Sequence, residues 1–286
     1  MADVVGWLLD PYEFEFMRRA LIVLVMISVV GAVVGAFVVH KGLAFSGDAL
    51  AHATLAGVAV AFVNGASVGL GALVAGVLTA VGIGWTQRRT RVSYDTAIGI
   101  LFVGMFSLGI LVMSRRTSYT PDLFSFIFGN ILGVSNLDLL GAGVMAAAVL
   151  IFVWAFYREL IFVAYDPAMA AASGVRAAPF QYALLVLIAV AVVVALKAIG
   201  IVLVNAMLIV PAATAGLIVD RMSRIMAVGA AVALLSSVVG LHVSYYARVS
   251  ASAAIVLTAC MIFLVAALIT GRRAPLGVAD AESPTH

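Results

Sequence analysis

Asp48 and His52 stand four residues apart within FSGDALAHATLAG, residues 45–57, a stretch otherwise made of small and apolar residues. On a helix that spacing sets two side chains on one face, with Cβ atoms about 6 Å apart. A carboxylate and an imidazole so placed can share one ion, and the ligand set suits zinc or manganese. They can equally hydrogen-bond each other as a self-neutralising pair, and the residue types leave both readings open. Two ligands from one helix do not complete a tetrahedral or octahedral shell. A symmetric dimer would supply two aspartates and two histidines around its axis.

The element that carries the pair follows from its surroundings. Hydrophobic residues make up 65% of the 286-residue chain and charged residues 10%, with a mean hydropathy of +1.23. These values describe an integral membrane protein, not a soluble domain. A hydrocarbon core of about 30 Å takes about 20 apolar residues of helix. Runs of that length lie near 17–39, 43–63, 66–86, 95–114, 137–157, 179–197, 200–219, 225–246 and 250–270. Only Lys197, Gly200 and Pro211 punctuate the stretch from 179 to 219, so the expectation is an all-α bundle of eight or nine spanning helices. It forms one transmembrane domain over 17–271, between an external segment, 1–16, and a cytoplasmic tail, 272–286. No signal-peptide pattern precedes the first run, which is expected to stay as a helix. Abundant Gly and Ala fit close helix packing. Pro211 is expected to kink its helix and free a carbonyl that neighbours must satisfy.

Within that bundle Asp48 and His52 lie about 8 and 14 Å from the inner helix end at about 1.5 Å per residue. An aspartate at the centre of a bilayer costs about 2.5–3.5 kcal/mol on insertion scales, so its presence there is a functional signal. The other polar residues read more plainly. His40 and Lys41 fall at a helix end and are expected to snorkel, and His242, beside Tyr245 and Tyr246, to join an aromatic belt. Asp95 reads as a helix N-cap, and Asn205, Ser236 and Ser237 as interhelical hydrogen-bonding groups. The lone cysteine, Cys260, lies in an apolar run and excludes an intrachain disulfide.

Basic residues fall in short clusters between the runs, which points to topology signals and away from a nucleic-acid partner. With the N-terminus outside, ten of the sixteen Lys and Arg residues reach the cytoplasmic side, among them Lys41, Arg88, Arg89, Arg158 and Arg221. The external stretch from 114 to 136 holds a short apolar piece, 124–134, suited to a helix at the outer rim. On the cytoplasmic side Asp166 and Pro167 read as the N-cap and first residue of a short helix that stops at Gly174.

Four stretches carry a resemblance that covers nearly the whole chain: GDALAHATLAGVAVAF at 47–62, DPAMAAASGV at 166–175, KAIGIVLVNAMLIVPAATAGL at 197–217 and, more softly, SFIFGNILGVSNLDL at 125–139. In this order and spacing the chain resembles the membrane permease subunit of zinc and manganese ABC importers, the ABC-3 family. The resemblance implies that Asp48 and His52 coordinate metal in the translocation path, and that Asp166, Ala170 and Gly174 belong to a coupling helix docked on an ATPase. It further implies a homodimer in the bacterial cell membrane, cytoplasmic ATPase subunits that use ATP, and an extracytoplasmic binding protein that delivers Mn2+ or Zn2+. No cofactor would be bound permanently. The chain departs from the family pattern at Ala51 and Ala56, and in ARVSASAA, residues 247–254, where members commonly carry Asp, Pro and Gly.

Neither lysine, Lys41 nor Lys197, follows a phosphate-binding loop pattern, so ATP hydrolysis is expected in a separate subunit and not in this chain. Two rival classes are an ion-coupled secondary transporter using the pair as a proton relay, and a permease for a larger metal chelate in which the pair is structural. The orientation is testable. After Cys260→Ala, single cysteines at positions 90 and 223 should react with impermeant reagent from the cytoplasmic side, and one at 118 from outside; the reverse pattern would invert the bundle.

Overall fold

A computed structural model describes residues 10–114 and 131–271. Among them are eleven α-helices and two short 3-10 turns, Asp10–Glu13 and Ile131–Gly133. The helices are α1 (Glu15–His40), α2 (Ala44–Val63), α3 (Val68–Arg89), α4 (Tyr94–Ser114), α5 (Asn136–Ala155), α6 (Tyr157–Tyr165), α7 (Pro167–Ala172), α8 (Ala177–Ile199), α9 (Ile201–Ile218), α10 (Met222–Ala247) and α11 (Ala251–Gly271). All but α6 and α7 are long and apolar enough to span a membrane, which gives nine spans among the described residues. The expected outer-rim helix and the cytoplasmic tail lie outside the described residues, apart from the turn at Ile131–Gly133, which packs on α1.

The open question of one span or two between 179 and 219 is decided by Gly200. Its φ of 80° and ψ of 165° lie in a region that only glycine enters readily, and they break α8 from α9 within a single residue. Pro211, by contrast, sits inside an uninterrupted α9. The carbonyl deprived of its helical donor is that of Met207, four residues earlier. It lies against Gly31 of α1, so close that a Cβ on Gly31 would stand 2.9 Å from it.

Backbone approach of this kind organises the bundle. Gly31 and Gly35 form a GxxxG pair on α1, and a Cβ on Gly35 would be 1.9 Å from the Leu208 carbonyl oxygen. Gly57 of α2 and Gly71 of α3 face each other in the same way, while Gly109 of α4 lies on the backbone of Leu55 and Ala56. The α1 and α2 spans are in consequence the most enclosed, with 67% and 61% of their windows buried, against 17% for α4 and 22% each for α5 and α11. The helix bearing Asp48 and His52 is thus gripped by α3 and α4, with α8 and α9 also touching it.

Two local readings need correction. Ser93, not Asp95, caps α4: its Oγ accepts from the Thr96 amide at 3.2 Å, and Asp95 falls within the first turn. Residues 158–165, which fall between the expected spans 137–157 and 179–197, belong to α6, because Leu160, Val163 and Ala164 recur at helical spacing and turn inward together.

A side chain at Gly35 would strike the Leu208 carbonyl. Gly35→Val should therefore destabilise the α1–α9 contact by about 1–3 kcal/mol, read as a lowered thermal midpoint of the protein in detergent. Gly69→Ala, which meets nothing within 4 Å, should leave the midpoint unchanged.

Candidate metal site and the α7 turn

α2 opens after a tight turn at Lys41–Gly42, where Gly42 has a φ of 67°, and Ser46 Oγ donates to the Leu43 carbonyl at 2.6 Å. Asp48 follows within the next turn and His52 one turn later. Their side chains are 40% and 29% exposed, so the face they share is not fully covered by this chain. His52 Nδ1 is 3.0 Å from the Asp48 carbonyl oxygen and 3.5 Å from Asp48 Oδ1. A carbonyl oxygen only accepts, so that contact puts the proton of a neutral imidazole on Nδ1 and leaves the lone pair on Nε2. The ring stands edge to face with Phe102 and Phe106 of α4, at centroid distances of 5.6 and 5.9 Å.

Asp48 has a stronger partner than His52. Asn205 Nδ2, from α9, donates to Asp48 Oδ1 at 2.7 Å, while the 3.5 Å separation of the two ring and carboxylate atoms is long for a hydrogen bond. Asn205 is therefore the interhelical group it was expected to be, and its contact belongs to the site itself. The sequence signal for it was weak: a lone Asn in an apolar span says that a partner exists but does not name it. Asp48 Oδ2 and His52 Nε2 have no hydrogen-bond partner among the described residues, which leaves one hard oxygen and one borderline nitrogen, one helical turn apart, without a protein donor or acceptor. No cluster of three or more His, Cys, Asp or Glu suited to a metal occurs among the described residues.

The remaining polar residues have other neighbours. His242 is buried, 7% exposed, so the lipid-facing belt is corrected. Its Nδ1 lies 2.8 Å from the Val238 carbonyl oxygen and 3.4 Å from the Tyr12 hydroxyl. Ser237 meets Ser28 of α1 at 3.2 Å, whereas Ser236 turns back to the Val232 carbonyl of its own helix. Arg248 ends α10 in the left-handed region with a φ of 54°.

On the other side of the bundle Asp166 accepts through Oδ1 from the Ala168 and Met169 amides at 3.0 and 2.9 Å, with Pro167 first in α7. Gly174, with a φ of 85°, closes the turn. Its amide bonds to Ala171 and that of Val175 to Ala170, the paired bonds of a Schellman ending. Ala170 is fully buried beneath the turn, and Met169, 57% exposed, is the apolar residue that faces out. α6 ties this turn to the start of α2: His40 lies on Tyr165 at 4.0 Å, and Lys41 Nζ reaches the Val163 carbonyl at 3.5 Å. Burial there holds the Lys41 ammonium below its usual pKa. These residues are anchored against protein rather than simply snorkelling.

Nine apolar spans among the described residues, the second carrying a polar pair, with a capped helix set between the fifth and sixth, describe a multi-pass membrane protein. The chain belongs to the ABC 3 transport family, which it matches over residues 13–270. It is 37% identical to the manganese transport system membrane protein MntC of Listeria monocytogenes over 261 residues, covering 91% of this chain and 93% of that one. It is also 37% identical to the manganese import system permease protein ScaB of Streptococcus gordonii, over 92% of this chain and 94% of that one. Its fold superposes on the solved structure of PsaBC from Streptococcus pneumoniae in complex with Fab with a TM-score of 0.81, at 34% identity, covering 92% of this chain and 95% of that one. The chain is thus a transport permease of the cell membrane.

Proposed function

We propose that two copies of the chain form the membrane pathway of an ATP-driven manganese importer, in which Asp48 and His52 of both copies bind the ion transiently. The observation that carries this reading is the pair itself: Asp48 and His52 lie one turn apart on one helix, the face they share is only partly covered, and Asp48 Oδ2 and His52 Nε2 carry no hydrogen bond among the described residues. Two copies would bring two oxygens and two nitrogens together, four donors of a kind that manganese accepts and that zinc accepts as readily. The names of the related permeases favour manganese. A pathway site has to bind well enough to receive the ion and weakly enough to pass it on, and donors that assemble only between copies suit that requirement. The metal would arrive from an extracytoplasmic binding protein at the outer face.

The driving force would come from cytoplasmic ATPase subunits docked on α7. Asp166 and Gly174 shape that helix, and Met169 with Ala171 and Ala172 presents its outward surface. Movement of α7 reaches α6 directly, and through Tyr165 and Val163 it reaches His40 and Lys41, just ahead of the helix bearing Asp48. The link is short and polar at one end.

Either Asp48→Ala or His52→Ala should abolish Mn2+ uptake by proteoliposomes containing the chain with its ATPase, while assembly and ATP hydrolysis persist. Recovery of uptake in the double variant Asp48→Leu with His52→Leu would show the pair to be structural and reject the ligand reading. A separate check addresses docking. Met169→Glu should prevent co-purification of the ATPase without lowering the amount of chain in the membrane; undiminished co-purification would remove α7 from the docking surface. Ala170 is unsuited to that test, since a charge there would disturb the permease's own packing.

A further inference from the structure

We propose that Asn205 is the positioning residue of the metal pair: from the neighbouring helix it holds Asp48 Oδ1, so that a divalent cation is met by Oδ2 of the same carboxylate and by His52 Nε2. The inference rests on the reading of Asp48 and His52 as cation ligands. The hydrogen bond from Asn205 Nδ2 to Asp48 Oδ1 is short, 2.7 Å, as expected for a donor facing an ionised carboxylate. His52 Nδ1 lies toward the same oxygen, at 3.5 Å. Oδ1 is thereby turned to protein from two helices, and Oδ2 is the oxygen left to a ligand.

The other end of the amide fixes its orientation. Asn205 Oδ1 is buried with no hydrogen-bond partner and faces Gly47, where a Cβ would stand 3.1 Å away. Turning the amide over would set its oxygen against the Asp48 carboxylate, so only the donating orientation suits an ionised aspartate. A buried amide oxygen without a donor is unfavourable, and an apolar side chain of the same size would avoid it. What the amide contributes at this position is its N–H toward Asp48. Gly47 is the matching half of the arrangement, since any side chain there would crowd both Asn205 and Leu208, the latter at 3.0 Å.

The consequence is chemical. A carboxylate with one oxygen held by a short hydrogen bond offers the other in a fixed direction, so the ligand is oriented before the ion arrives. Groups that orient a metal ligand in this way typically change affinity by about 10- to 100-fold when removed. The hydrogen bond also ties the position of α9 to the geometry of the site on α2, so a shift of one helix against the other would alter the carboxylate's freedom.

The experiment is a Mn2+ titration of the full chain in detergent, with free Mn2+ read from its electron paramagnetic resonance signal and folding followed by thermal midpoint. Asn205→Ala should weaken Mn2+ binding about ten-fold, and Gly47→Ala should weaken it in the same direction by displacing the amide. In an Asp48→Ala background Asn205→Ala should change binding no further, because Asn205 acts through Asp48. If Asn205→Ala does not fold, Asn205→Leu, which keeps the volume, carries the same expectation. Wild-type affinity in the Asn205 variant, alongside lost binding in Asp48→Ala, would overturn the role of Asn205 and leave the ligand reading standing. Unchanged binding in Asp48→Ala would instead overturn the ligand reading and with it this inference. Equal losses from Asn205→Ala with and without Asp48 would reduce Asn205 to a packing residue.

Discussion

Apolar side chains gain little by leaving hydrocarbon for a protein interior, so helices in a membrane are held together by how closely their backbones can approach. In this chain that approach is made at glycine. Gly31 and Gly35 let α1 lie on the carbonyls of Met207 and Leu208, and Gly57 and Gly71 let α2 and α3 cross with almost nothing between them. The contacts of α1 and α2 with their neighbours, and through them the enclosure of the two innermost spans, depend on the absence of Cβ atoms at these points. Even the backbone group freed by Pro211 is accommodated there, because the Met207 carbonyl meets a glycine and not a side chain.

Close approach also sets the polar chemistry. A side chain as short as that of Asn205 reaches Asp48 only because α9 rests near Gly47. Once that bond is made, the carboxylate has one oxygen toward protein and one free, and the imidazole, bonded to the carbonyl one turn back, has its second nitrogen free as well. The two rings of Phe102 and Phe106 stand against His52 and limit where it can turn. The result is a carboxylate and an imidazole held in place one turn apart, each with one atom that takes no hydrogen bond among the described residues.

The end of the bundle that carries α7 is built on different physics. Where water can reach the backbone, α7 is defined by an aspartate cap, a proline and a glycine in the left-handed region. These hold six residues in a helix too short to persist alone. Burial of Ala170 fastens the helix to the bundle, and Met169 stays exposed on its outer side. The contacts of Tyr165 and Val163 with His40 and Lys41 join that surface to the turn from which α2 starts.

Much of this was legible in the chain. Hydropathy over some 20 residues is a strong signal because the bilayer admits only segments that satisfy their own backbone, so the spans near 17–39, 43–63 and 225–246 were readable to within a few residues. Caps are local chemistry, so Asp166 and Gly174 were readable as well, although at α4 the shorter-range choice between Ser93 and Asp95 was decided by which side chain actually reached the amide. The i, i+4 spacing placed Asp48 and His52 on one face. What the residues could not convey was everything that depends on which helix lies beside which. An apolar span records that it is buried but not its neighbour, since lipid and another helix are much the same solvent to leucine. Hence the partner of Asn205, the burial of His242 against Tyr12, the inward turn of Ala170 and the identity of the free atoms on Asp48 and His52 were decided by tertiary packing alone. The sequence by itself determined a membrane bundle with a polar pair in its second span; only the three-dimensional arrangement decided how that pair is held, because hydrogen bonds between spans require distances that no one-dimensional pattern contains.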